Sequence, residues 1–211
     1  MSRLFLASQD FGNHADKLSE MVGDNRRSLV VFNARDYKEN KEIDQQRELF
    51  DNVNLEFREL DLRDYFGQAE RLKNFVDEYK PGLVVLLGGN TFLLRRALAQ
   101  SGLDEILKHD TKQDKYVLAG HSAGSIVVGP GLEGFEVMDQ PELVLPGYQP
   151  EVIWSGLELT DTRVIPHANS AKYAHAAASR EKLFKERSLR YIVLNDEDVF
   201  VVNGDEREVL R

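Results

Sequence analysis

A serine stands between two glycines in the segment Gly120–Gly124, which reads Gly-His-Ser-Ala-Gly and directly follows the apolar run 116–119. This spacing predicts a strand that turns sharply into a helix, with Ser122 at the turn. On such a turn the Ser122 hydroxyl is exposed as a nucleophile, and the backbone N–H of Ala123 points toward a developing oxyanion. An ordinary strand–turn–helix junction that happens to contain serine is the alternative interpretation.

A serine nucleophile needs a general base, and the base needs an acid that orients it. Of the five histidines, His167 fits the base best, because it follows a predicted strand at the edge where open α/β sheets collect their ligands. His121 is adjacent to Ser122, and neighbouring side chains on a tight turn point apart. We therefore expect His121 to line the pocket and contact substrate. The remaining histidines are assigned to surface or structural positions: His14, His109 and His175.

A pair of glycines, Gly88 and Gly89, also follows a buried run and precedes a predicted helix. Glycines allow the backbone to approach a ligand closely, so the N–H of Gly89 is a candidate for the second oxyanion donor. Asn90 either caps the helix or contacts the substrate. A nucleotide-phosphate loop is disfavoured at this point, because the segment that begins at Gly88 has neither Gly-Lys-Ser/Thr nor Gly-X-Gly-X-X-Gly.

The elements that must position these residues alternate between strand and helix, which predicts an α/β fold with a mostly parallel, doubly wound sheet. Predicted strands cover 4–7, 28–33, 53–60, 82–87, 116–119, 163–166, 191–194 and 199–202. Predicted helices cover 15–22, 39–51, 65–78, 91–100 and 174–186, with a short one after Ser122. Segment 133–162 is rich in Gly, Pro and aromatic residues and predicts loops and short strands around the pocket. No linker interrupts the pattern, so we expect one domain over 1–211.

The amino-acid composition disfavours several classes of binding partner and of catalytic chemistry. A net charge of −9 over 211 residues disfavours nucleic acid and anionic membranes as partners. The absence of cysteine excludes disulfides, thiolate catalysis and Cys-ligated zinc. The N-terminus does not have the pattern of a signal peptide, and no apolar run reaches the roughly 18 residues of a membrane span. We expect a cytoplasmic monomer or homodimer with no cofactor, and with no metal, because metal-ligand spacing is absent.

Three motifs together resemble the peptidase E (aspartyl dipeptidase) and cyanophycinase family of serine peptidases: Gly-Gly-Asn-Thr-Phe at 88–92, Gly-His-Ser-Ala-Gly at 120–124 and Ile-Pro-His at 165–167. The resemblance implies a three-layer sandwich like that of class I glutamine amidotransferases, with serine in place of cysteine at the turn. It implies that Ser122 is the nucleophile and His167 the base, and that Gly89 and Ala123 form the oxyanion hole. The implied substrate is a short peptide, in particular a dipeptide with an acidic N-terminal residue.

The resemblance leaves the orienting acid open. The family's acid is placed either shortly after the nucleophile, where Asp139 stands, or near the C-terminus, where Asp196 and Glu197 compete. We favour the C-terminal pair as the partner of the histidine. Arg180 stands in Ser-Arg-Glu and is similar to an arginine that, in aspartyl dipeptidases, is proposed to hold the substrate's aspartate side chain. A guanidinium offers a planar, bidentate match to such a carboxylate.

Three other functions remain open at this stage. A cyanophycinase-like enzyme would hydrolyse β-aspartyl-arginine peptides. An esterase-like hydrolase would need the order Ser122, Asp139, His167, which the chain permits, although the Gly-Gly-Asn-Thr helix start fits it poorly. A ligand-binding or sensor protein would keep the pocket without catalysis. A covalent serine probe distinguishes this last class from the enzymes.

Overall fold

Seven strands form the central sheet of the computed structural model, which describes residues 2–211. Two further strands form a separate small sheet, and the described residues also form seven α-helices. The strands are β1 Arg3–Ala7, β2 Arg27–Val31, β3 Glu56–Glu59, β4 Leu83–Leu86, β5 Val117–His121, β6 Arg163–Ile165, β7 Tyr191–Val193, β8 Val199–Asn203 and β9 Glu206–Leu210. The helices are α1 Ala15–Val22, α2 Ile43–Asn52, α3 Ala69–Tyr79, α4 Thr91–Ser101, α5 Leu103–Lys112, α6 Ala123–Val128 and α7 Ala174–Glu186.

The central sheet has the strand order β3-β2-β4-β5-β1-β8-β9. The first five strands of that order are mutually parallel, while β8 runs antiparallel to β1 and β9 antiparallel to β8. The carboxyl ends of β1, β2, β4 and β5 therefore meet at one edge. This edge is where open α/β sheets bind their ligands.

Both faces of the sheet are apolar, as expected for parallel strands covered on two sides. On β1, Leu4 and Leu6 pack into one hydrophobic cluster, while Phe5 and Ala7 pack into another on the opposite face. Helices α1 and α2 contribute to the second cluster, and α3 to α7 contribute to the first. The prediction of a three-layer α/β sandwich with a mostly parallel, doubly wound sheet is confirmed.

Strands β6 and β7 pair in parallel with each other and are separate from the central sheet. Their register places Ile165 opposite Val193. The predicted strand before His167 therefore exists, but it ends at the edge of this small sheet. Within residues 2–211, no helix is both long and apolar enough to cross a bilayer.

Several local predictions differ from the structure; for example, α3 begins at Ala69 instead of at residue 65, and β9 was not predicted. Helix α2 begins at Ile43, after a loop, instead of at residue 39. Helix α5 was not predicted, and it contains His109, which the sequence assigned only to a surface or structural position. Segment 133–162 contains one turn of 3-10 helix and a single isolated bridge, with no extended strand.

Candidate active site

Loops at the carboxyl edge of the central sheet enclose a cavity of about 570 Å³, called the pocket below. The loops after β1, β2, β4 and β5 all contribute to its walls. Four side chains singled out in the sequence line it: His121, Ser122, Asp139 and His167. The topology thus gathers these residues from distant parts of the chain.

Ser122 has backbone angles φ 51° and ψ −117°, which an L-residue rarely adopts. Such strain persists only where the surrounding structure enforces it, and it is typical of a nucleophile on a strand-to-helix turn. The backbone N–H of Ser122 donates to the carbonyl of Ala7 at 3.2 Å, which ties the turn to β1. The predicted strand–turn–helix geometry is therefore present.

Ser122, His167 and Asp196 form a continuous hydrogen-bonded chain. The Oγ atom of Ser122 lies 2.9 Å from Nε2 of His167, and Nδ1 of His167 lies 2.6 Å from Oδ1 of Asp196. His167 is 8% exposed, so its ring is largely shielded from solvent. These contacts allow a proton to pass from the serine hydroxyl to Nε2 while the carboxylate fixes the Nδ1–H tautomer.

The small sheet explains why His167 and Asp196 meet. His167 stands two residues after the end of β6, and Asp196 stands three residues after the end of β7, the strand paired with it. Ser8, at the end of β1, accepts the backbone N–H of His167 at 2.8 Å through its hydroxyl. Asn169 accepts the backbone N–H of Asp196 at 2.9 Å. The Ser8 contact holds His167 against the edge of the central sheet, and the Asn169 contact joins the loops that follow β6 and β7.

The other two candidate acids have different partners. Glu197 accepts a hydrogen bond from the side chain of Asn169 at 2.9 Å. Asp139 accepts the backbone N–H of Thr91 at 2.9 Å and its hydroxyl at 2.5 Å, at the start of α4. Burial raises the pKa of Asp139, against the lowering effect of these two bonds. Of the three acids, Asp196 is the one in contact with His167.

Two backbone N–H groups adjoin the serine without a protein acceptor. Among residues 2–211, neither the amide of Gly89 nor that of Ala123 donates a hydrogen bond. Gly89 has φ 154°, and an added Cβ would lie 2.2 Å from the carbonyl oxygen of Ala34, so only glycine fits. Gly88 packs against Ser122 so closely that an added Cβ would lie 2.9 Å from Cβ of Ser122.

The ring of His121 lies against two backbone N–H groups, and Asn90 takes the helix-capping position that was one of its two predicted roles. Nε2 of His121 accepts the Gly88 N–H at 3.1 Å, and Nδ1 faces the Asp10 N–H at 3.2 Å. Burial lowers the pKa of His121 to about 4. A neutral imidazole has one acceptor nitrogen, so His121 accepts from one of these two N–H groups at a time, and protonation would remove that hydrogen bond. Asn90 caps α4 by accepting the Leu93 N–H at 2.8 Å, and it is 5% exposed.

Arg180 lies behind the pocket wall, on α7, and is 1% exposed. Its guanidinium contacts Sδ of Met138, which itself lines the pocket, and stacks 5.0 Å from the ring centre of Phe135. Nε and Nη1 are buried and have no hydrogen-bond partner among the described residues. Burial lowers the pKa of Arg180 to about 10, so the group remains a cation at neutral pH.

Some residues of the site carried no signal in the sequence. Ser8, Asn169 and Arg35 follow strands but belong to none of the three motifs, and only the topology brings them to the pocket edge. The ring centre of Tyr173 lies 5.2 Å from that of His167, with 33° between the two ring planes. Within residues 2–211, no group of three or more His, Cys, Asp or Glu side chains could hold a metal ion.

Two uncharacterized bacterial peptidases are similar to this chain in sequence. An uncharacterized peptidase, PM1590, from Pasteurella multocida is 26% identical over 183 residues, which are 84% of this chain and 82% of that protein. The uncharacterized peptidase Lmo0363 from Listeria monocytogenes is 25% identical over 124 residues, 58% of this chain. That match spans 57% of the length of Lmo0363.

Two solved structures share the fold. A provisionally assigned peptidase E protein from Listeria monocytogenes EGD-e superposes with a TM-score of 0.82 at 20% identity, over 100% of this chain and 98% of that one. A peptidase from an acI-B1 Actinobacterium gives a TM-score of 0.68 at 19% identity, over 100% and 87% of the two chains. The family model of peptidase family S51 matches residues 4–210. The chain therefore belongs to peptidase family S51.

Proposed function

We propose that this protein is a serine peptidase in which Ser122 is the nucleophile, His167 the general base and Asp196 the acid that orients the base. The observation that carries the proposal is the hydrogen-bonded chain from Ser122 Oγ to His167 Nε2 and from His167 Nδ1 to Asp196. Membership of a peptidase family supplies the reaction class, the hydrolysis of a peptide bond.

In this mechanism Ser122 Oγ attacks the scissile carbonyl carbon while its proton moves to Nε2 of His167. The carbonyl oxygen becomes an oxyanion, which accepts hydrogen bonds from the amides of Gly89 and Ala123. His167 then gives the proton to the leaving amine as the C–N bond breaks. A water molecule, deprotonated by the same histidine, hydrolyses the acyl-enzyme and restores Ser122.

We further propose that the substrates are short peptides with an acidic N-terminal residue. Arg180 supports this preference, because it is a fully buried guanidinium with two unpartnered donors next to the pocket wall. The carboxylates of Asp139 and Glu136 favour its charge electrostatically, but neither accepts a hydrogen bond from Nε or Nη1, and a substrate carboxylate would supply that acceptor. Met138 stands between Arg180 and the pocket, so this contact requires the Met138 side chain to change rotamer.

A dipeptide screen tests both levels of the proposal. We expect hydrolysis of Asp-Leu at least tenfold more efficient than that of Asn-Leu, which has the same shape without the charge, and no hydrolysis by Ser122→Ala. Equal efficiencies would refute the acidic preference alone. Hydrolysis that persists in Ser122→Ala would refute the serine mechanism. A β-aspartyl-arginine dipeptide in the same screen tests the cyanophycinase-like alternative.

A further inference from the structure

Arg35 is a buried arginine on the pocket wall, at the end of the 3-10 turn that follows β2. We propose that it is a positioning residue that orients the Gly89 N–H toward the oxyanion. This inference rests on the proposed function, because it concerns the geometry of the same oxyanion hole. Arg35 is 6% exposed, so its guanidinium is held by protein contacts.

Three hydrogen bonds fix the Arg35 side chain. Nε donates to the carbonyl oxygen of Gly88 at 2.9 Å, and Nη1 donates to the Lys41 carbonyl at 3.1 Å and to Oε2 of Glu42 at 2.8 Å. The two Nη1 contacts anchor the guanidinium to the loop before α2. The Nε contact is charge-assisted, and such bonds are about twice as strong as neutral ones.

Because the peptide bond is planar, the contact of Arg35 with the Gly88 carbonyl also fixes the direction of the Gly89 N–H. In a trans peptide the carbonyl of one residue and the N–H of the next point in opposite directions. When Arg35 holds the Gly88 carbonyl, the Gly89 N–H must point away from Arg35. That N–H has no acceptor within residues 2–211, which leaves it free for a ligand in the pocket.

The neighbouring peptides are fixed by other contacts, so Arg35 has a distinct task. The Gly88 N–H donates to Nε2 of His121 at 3.1 Å, and the Asn90 N–H donates to the Ala34 carbonyl at 2.8 Å. Within the described residues, Arg35 is the one donor to the Gly88 carbonyl. A Gly-Gly link has unusual rotational freedom, so it needs such an external restraint.

Loss of the restraint should reduce the rate of the chemical step. If the Gly88–Gly89 peptide rotates, a carbonyl oxygen instead of an N–H faces the developing negative charge. Removing one oxyanion donor typically costs about 10²–10³ in kcat. We expect Arg35→Lys, which keeps the charge without the planar fork, to lose about 10- to 100-fold in kcat with KM changed by less than about threefold.

Arg95 provides a matched control. It is 5% exposed, its Nε donates to the Ser155 carbonyl at 2.8 Å, and its Nη1 donates to Asp104 at 3.0 Å, away from the pocket. Arg95→Lys therefore disturbs a buried arginine of the same kind. We expect it to shift the melting temperature about as much as Arg35→Lys while kcat stays within about twofold of wild type.

The experiment measures kcat and KM on the best dipeptide substrate of the wild type, and the rate at which a fluorophosphonate labels Ser122. The inference is supported if kcat and the labelling rate of Arg35→Lys fall by the same factor while those of Arg95→Lys do not. It is further supported if added ethylguanidinium partly restores kcat in Arg35→Ala. A rise in KM with kcat unchanged would overturn it, as would kcat losses equal to those of Arg95→Lys. Absence of Ser122 labelling in the wild type would instead refute the proposed function.

Discussion

Replacing Asp196 with asparagine removes the charge that faces His167 and leaves the shape of the side chain almost unchanged. During acylation His167 becomes a cation, and Asp196 stabilises it across a contact of 2.6 Å. Opposite unit charges about 4 Å apart attract each other by about 4 kcal/mol at an effective dielectric constant near 20. At about 1.4 kcal/mol per factor of ten, this energy corresponds to roughly 10³ in rate.

Solvent reduces this value, because the side chain of Asp196 is 31% exposed. We therefore expect Asp196→Asn to lower kcat by about 10²–10³, with KM nearly unchanged. The assay is steady-state hydrolysis of an acid-leading dipeptide, with a melting curve for each variant to verify folding. Glu197→Gln is the control, because Glu197 contacts Asn169 and not His167, and it should retain activity within about threefold. A folded Asp196→Asn variant as active as Glu197→Gln would refute the assignment.

Three further predictions concern other parts of the site. Ser122→Ala and His167→Ala should each lower kcat by several orders of magnitude, and the double variant should be hardly worse than either, because the residues act as a unit; additive losses in kinetic assays would contradict this. Burial lowers the pKa of His121 from 6.5 to about 4, so between these pH values the residue is protonated in the unfolded chain and neutral in the folded protein. The free energy of unfolding should therefore fall by about 3 kcal/mol more in wild type than in His121→Gln as the pH decreases from about 6.5 to about 4. Urea unfolding measures this difference, and parallel pH profiles of the two proteins would contradict it. Arg180→Ala should lower kcat/KM for Asp-Leu by about 10- to 100-fold and leave Ala-Leu nearly unchanged, because a charge-assisted bond contributes about 1.5–3 kcal/mol; equal losses on both dipeptides would give Arg180 a structural role.

The sequence was sufficient to predict the strand-to-helix turn at Ser122 and the position of His167 after a strand, at the pocket. Each of these residues follows a short apolar run, which predicts a strand. Glycines around Ser122 and a proline before His167 constrain the backbone locally, so the end of each strand can be predicted from a few neighbouring residues. Which of Asp139, Asp196 and Glu197 contacts His167 is decided by strand pairing between distant segments, which the local sequence does not reveal. Strands β6 and β7 pair outside the central sheet, and that pairing brings the loop containing Asp196 beside His167.

The missed elements have physical causes. Gly102 ends α4 and at the same time precedes α5, so a glycine typical of a helix end is followed here by a second helix, in which Leu103, Ile106 and Leu107 have helical spacing and are buried. The position of Arg180 behind Met138 depends on how segment 135–139 folds against α7, which no periodicity encodes. Arg35 had no signal, because its role depends on contact with a carbonyl 53 residues away in the chain.

Covalent labelling tests the central claim, that Ser122 is an activated nucleophile, most directly. The folded protein would be incubated with a fluorophosphonate, digested, and analysed by mass spectrometry to locate the adduct. We predict one adduct, on Ser122, formed much more slowly when His167 is replaced by alanine and absent in Ser122→Ala. An adduct on another serine, or labelling of Ser122 at an equal rate with and without His167, would contradict the account.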